Sequence, residues 1–201
     1  MMNHKLISHL CLSLWVILLL EASLVAPPIA SGTQQLIQDM LFLKLSADPS
    51  IFALFQIMGV LPFFAAGFLI TEGVWAWLAL AGSFFLGAFA LLPYLGTRLW
   101  FSKKESGGWL LKSKWLGLIP GTAFFGLALF GLNEGSGHAF WEAWRGDGFI
   151  HIMTLDACAF ILCIQLLTYE EAELHTGHGF LWSILPILGP VLWISHRGRF
   201  L

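Results

Sequence analysis

The chain has 201 residues, of which 58% are hydrophobic and 11% charged, with a formal net charge of −2. A soluble domain carries about 25% charged residues, so too few are present here to cover a water-facing surface, and the mean hydropathy of +0.80 agrees. A multi-pass membrane protein follows, the small net charge excludes a nucleic-acid polycation, and no link between apolar runs is long enough to fold as a separate domain.

Residues 1–32 admit two readings. Lys5 precedes the apolar run Leu6–Leu20, after which Glu21 and a small-residue stretch lead through Pro27-Pro28 to Gly32. That is the layout of a signal peptide, with Ala30 at the −3 position of a cleavage after Gly32. The alternative is a first membrane helix lengthened to Ala26, which would have to bury Glu21. Residues 33–49 mix apolar and polar positions, with Leu36, Ile37, Met40 and Leu43 towards one helical side, as an interfacial amphipathic segment would. Asp48-Pro49 then reads as a helix start, an acidic cap followed by a proline in the first turn.

Residues 50–201 read as a helical bundle. Ser50–Ile70 is a span that Pro62 should kink. The short link Thr71-Glu72-Gly73 turns it into Trp75–Tyr94, read as a second, antiparallel span. Ala79, Ser83 and Gly87 recur there every four residues, which predicts a close helix-packing seam. Arg98–Lys114 is the most basic stretch, flanked by tryptophans, and is expected on the cytoplasmic or stromal side. Counting spans places Lys44 on that side, and Lys5, Arg145, Arg197 and Arg199 opposite. Trp115–Leu132 is a glycine-rich span, and a polar link carrying His138, Trp141, Trp144 and Arg145 follows it. Phe149–Tyr169 is the next span, and Phe180–Ser195, with Pro186, Gly189 and Pro190, is a kinked span or a re-entrant segment. The predicted fold is an all-α polytopic transmembrane bundle of about five or six membrane segments.

Asp156 is the residue that demands an explanation. A carboxylate in the middle of a membrane helix costs roughly 2.5–3.5 kcal/mol on insertion scales, so it must face other helices, a polar partner or water. His151 lies on a different face of the same helix, and the two could act together only through a bridging helix or substrate. Glu171, His175 and His178 have metal-ligand residue types, but Gly177 and Gly179 end the helix among them, so no metal site is expected. Cys11, Cys158 and Cys163 sit inside apolar stretches without a CxxC pair and read as small hydrophobes. No GxSxG, HExxH or P-loop motif is present, and no internal repeat suggests an inverted-repeat transporter.

Four stretches carry a resemblance: Phe52–Gly59 with Pro62, Ser83–Tyr94, His151–Asp156 (HIMTLD) and Ile184–Trp193 (ILPILGPVLW). Together they resemble a family of multi-pass membrane proteins of cyanobacteria and plant plastids whose activity is unassigned. In that family a His-x-x-Ser/Thr-x-Asp helix precedes a terminal Pro-x-x-Gly-Pro helix. The likeness runs from Pro49 to near the end, while the acidic stretch after Tyr169 and the terminal Arg-Gly-Arg depart from it. It implies a small helical bundle in a bacterial inner or thylakoid-type membrane, and an intramembrane polar site at His151, Thr154 and Asp156. No reaction and no cofactor come with it. The expected function is a non-enzymatic accessory or assembly factor, with the lipid bilayer and another membrane protein complex as partners and no nucleic acid. The alternatives are a proton-coupled or small-molecule carrier using Asp156, and a tetrapyrrole-binding membrane protein.

Overall fold

The structure is a computed structural model that describes residues 4–101 and 113–199. Among these residues there are ten α-helices and no strand. Lys5–Val25, Pro49–Leu69, Trp115–Glu134 and Gly148–Thr176 are long and apolar enough to cross a membrane, and Val74–Leu86 is a shorter apolar helix. An all-α bundle of membrane-crossing helices is therefore the architecture, as the sequence predicts.

Helix α1 (His4–Leu20) continues through a π-helical turn, Glu21–Val25. The segment that could be a signal peptide or a first membrane helix thus forms a helix seated in the bundle. It lies against a later helix, α5 (Ala88–Phe101). The Trp15 indole donates to the Phe89 carbonyl at 3.1 Å, and a methyl group added to Gly96 would come within 2.6 Å of Leu12 Cδ2. Helix α2 (Thr33–Leu41) buries Met40 and packs Leu36 and Ile37 beside Ile51, Ile150 and Met153. Leu43 does not share that face: it lies beyond the helix end, at φ 57°, and is exposed.

Helix α3 (Pro49–Leu69) starts as its sequence requires. The Asp48 carboxylate accepts the Ser50 N–H at 2.9 Å, and Pro49 occupies a position whose N–H would have no helical partner. The same carboxylate accepts the Ser136 N–H at 3.1 Å, which ties α3 to the start of α7 (Gly137–Gly146). Helix α6 (Trp115–Glu134) runs antiparallel to α3, close enough that a Cβ on Gly131 would lie 2.7 Å from Ala53 Cβ. Small residues permit that approach where lipid supplies no hydrophobic drive between helices. Helix α8 (Gly148–Thr176) is capped by Asp147 and stops at Gly177, whose left-handed φ of 68° suits glycine.

Trp75–Tyr94 is not one span. Helix α4 (Val74–Leu86) ends at Gly87, which has φ 54° and ψ −133°, and the chain reverses there into α5. Only glycine adopts such a conformation without strain. The two helices lie side by side, since a Cβ on Gly82 would sit 3.1 Å from that of Ala90. Tyr94 donates to Glu72 at 2.8 Å, and Arg98 lies 3.5 Å from Glu72, so both ends of this hairpin meet at one end of the bundle. Of the expected seam, Ala79 is half-buried and Ser83 buried on α4, whereas Gly87 forms the turn. Its lack of a side chain serves reversal rather than helix packing.

A second hairpin closes the fold. After Gly177, helix α9 (Gly179–Ser183) leads inward to Ile187, and α10 (Leu188–His196) returns. The Gln165 amide donates to the Ser183 carbonyl at 2.9 Å, placing the inner part beside the middle of α8. Arg197 then meets Glu171 at 3.1 Å, back near the end of α8. These hairpins change the distribution of basic residues expected from counting spans. Arg98, Lys114, Lys5 and Arg197 belong to one end, with Lys44 and Arg145 at the other. Lys44 is therefore opposite Arg98, because α4 and α5 return to the end they left. Residues 102–112 of the basic stretch Arg98–Lys114 lie outside the described residues.

Candidate functional site

The reversal at Gly87 exposes backbone groups at membrane depth, where each needs an internal partner. Asp156 supplies one. Its side chain, 4% exposed, accepts the Phe89 N–H at 3.2 Å. A carboxylate from α8 thus caps the first turn of α5, where amides have no helical acceptor. The fit leaves no room for a side chain at the turn: a Cβ on Gly87 would overlap the Asp156 carboxylate and lie 2.7 Å from Met58 Cε. The polar partner that Asp156 requires is, in this fold, a main-chain amide.

A cavity of about 700 Å³ adjoins this turn. Its walls come from α3, α8, the tip of the α4–α5 hairpin and the segment between α1 and the end of α2, with Met58, Gly59, Phe84, Phe149 and Met153 among the apolar residues. Among the described residues of the lining, Ser83, Gln56 and Asp156 carry the polar side chains, and Asp156 is the only ionisable one. The segment 26–41 covers one side and is pinned at three places. The Pro28 carbonyl accepts the Gly148 N–H at 3.2 Å. The Thr33 hydroxyl donates to Asp147 at 2.6 Å, and the Gln56 amide donates to the Met40 carbonyl at 2.9 Å.

His151 belongs to a different neighbourhood. Its Nδ1 lies 3.2 Å from the Trp144 carbonyl and its Nε2 3.1 Å from Glu21 Oε1. A carbonyl can only accept, so Nδ1 carries a proton, and the Nε2–Glu21 contact needs a further proton on one of the two side chains. The imidazole also stacks on Trp144 at 4.4 Å, and Trp144 on Trp141 at 4.9 Å. Thr154 joins neither group, because its hydroxyl donates to the Ile150 carbonyl of its own helix at 2.7 Å. His151, Thr154 and Asp156 therefore occupy three separate settings. The metal-type set is also dispersed: Glu171 faces Arg197, while His175 and His178 are exposed on either side of Gly177. Among the described residues, no group of three or more His, Cys, Asp or Glu side chains could hold a metal ion.

Sequence reasoning did not identify Glu21 as the partner of His151, Gln56 as a pin on α2, or the ion pairs that Arg98 makes with Glu72 and Glu170. Glu21 carried a signal, as the acidic residue that a lengthened first helix would bury. The Phe89 amide carried none, since every non-proline residue has one. No protein-family model, no curated protein and no solved structure matches this chain.

Proposed function

We propose that the chain is a multi-pass membrane accessory protein that holds a small, largely apolar molecule within the bilayer, as a carrier does, without transforming it. The observation that carries this reading is the cavity of about 700 Å³ ending at Asp156 and the Gly87 turn. Its size falls in the range of small-molecule sites, which are mostly apolar with a few placed polar groups. Carboxylates at this depth commonly mark substrate or ion paths. The resemblance supports a bacterial inner or thylakoid-type membrane as the setting. The gathering of Arg98, Lys114, Lys5 and Arg197 at one end supports that end facing the cytoplasm or stroma.

Gly59 offers a direct test. It lines the cavity from α3, and no heavy atom beyond its chain neighbours and the backbone of its own helix turn lies within 4 Å of a Cβ added there. Gly59→Phe should fill the space without a clash and without loss of helix stability. With the purified chain in lipid nanodiscs, a fluorescent apolar probe should bind the parent saturably, and Gly59→Phe should abolish that binding. Unchanged binding to Gly59→Phe would remove the cavity from the reading.

A further inference from the structure

Resting on the proposed reading of the cavity, we infer that its natural occupant is a lipophilic amine whose ammonium group is received by Asp156 and the tip of α4. The inner end of the cavity is rich in acceptors. Asp156 meets the first-turn amides of α5 at Ala88 and Phe89 and also lines the cavity. Ser83 has committed its hydroxyl proton to the Leu80 carbonyl at 2.7 Å, leaving its oxygen as an acceptor. The Ser83 carbonyl receives the Gly87 N–H, but the chain reverses before a further turn can serve the last carbonyls of α4. That helix end carries a partial negative charge from its aligned peptide dipoles. In membrane proteins with interrupted helices, C-terminal ends of half-helices receive cations.

The first-turn amides of α5 meet part of this acceptor surface, but no cationic side chain among the described residues of the lining does. Among the described residues, the lining contains no Lys, Arg or His. Arg98 and Arg197 are engaged with glutamates at the far end, and His151 is turned to Glu21. Phe84, Phe85 and Phe89 add aromatic surface beside the acceptors, which favours a cation over a neutral head. An ammonium group brings three N–H donors and the missing charge. A hydroxyl brings one donor, and a carboxylate brings repulsion. Since the rest of the lining is dominated by Met, Phe, Ile and Leu, the remainder of the molecule is hydrocarbon.

Dodecylamine, dodecanol and dodecanoate, matched in chain length, separate these cases by displacing the apolar probe from the full chain in nanodiscs of neutral lipid. Gly59→Phe supplies the background of partitioning into lipid. On the parent, the amine should displace the probe at about a tenfold lower concentration than the alcohol, with the carboxylate weakest. Asp156→Asn retains an oxygen for the Phe89 amide and should reduce the amine's advantage to about twofold or less. Ser83→Ala, which leaves Asp156 in place, should reduce it in part. Equal displacement by the three head groups on the parent would overturn the amine assignment and leave the cavity reading standing. An amine advantage undiminished in both variants would also overturn it. Displacement of the probe by none of the three beyond the Gly59→Phe background would overturn both.

Discussion

The two inward hairpins, α4–α5 and α9–α10, are anchored alike and end differently. Each has an arginine at its base, and the partners are consecutive residues of α8: Arg98 pairs with Glu170, and Arg197 with Glu171. At the tips the likeness stops. The second hairpin is closed by its own packing, with Ile187 1% exposed and Gly189 against the Trp182 carbonyl. Its polar link to α8 is the neutral amide of Gln165. The first hairpin instead meets a carboxylate, and beside it space remains. Similar anchorage with unequal tips separates the two hairpins: arginine–glutamate pairs hold both, with Glu72 a second partner of Arg98, and of the two tips the one at Gly87 lines the cavity.

The largest expected effect is at that tip. Gly87→Ala forces a side chain into a left-handed position and against Asp156, and should cost at least about 3 kcal/mol. Adding Asp156→Ala should recover part of that loss by removing the overlap, so the two changes should be non-additive in thermal unfolding in detergent. Strict additivity would mean that the turn and the carboxylate are independent.

The bases provide the next test. Arg98→Met leaves Glu72 and Glu170 behind and Arg197→Met leaves Glu171, all in largely buried settings, and each change should cost about 3 kcal/mol. Chemical denaturation would expose an inequality, and a silent change at either site would end the equivalence of the two anchors. Smaller differences are expected from the polar links at the tips. Asp156→Leu leaves the Phe89 N–H unpaired away from water, a loss of about 2 kcal/mol, while Gln165→Leu removes a neutral bond worth about 1 kcal/mol. Asp156→Asn should be milder than Asp156→Leu, and the reverse order would show that charge, not capping, dominates at that position.

Outside the membrane helices, Asp48 gives the smallest effect. Burial opposes its charge, but bonds from the Ser50 hydroxyl and amide and from the Ser136 amide outweigh this and hold the carboxyl below the usual carboxylate range. Its folded value is depressed, so its contribution is complete above the unfolded value of about 3.9 and is lost as pH falls through the folded one. Asp48→Ala should therefore cost about 1 kcal/mol at neutral pH, with the deficit shrinking below about pH 4. A deficit independent of pH would mean that the cap does not act through its charge. Neither hairpin tip should respond to this change.

Much of the fold follows from local chemistry that the sequence displays. The apolar runs mark the crossing helices, Asp48-Pro49 opens α3, and Gly177 closes α8. The cost of a carboxylate at membrane depth already requires a partner for Asp156. The first hairpin was hidden because Trp75–Tyr94 has the length and composition of one crossing, and its reversal depends on one glycine's dihedral angles. The second was admitted as a possibility by the prolines and glycine near Ile187. His151 and Glu21 are 130 positions apart, so their contact depends on the assembled bundle.

The return of α4–α5 to its starting end has a consequence for parity. Such a hairpin adds two helices and no crossing, so every element after it keeps the sidedness that it would have had without it. Reporter enzymes fused after Ile70 and after Lys114 should therefore be active in the same compartment. A count of hydropathy peaks would assign them to opposite ones.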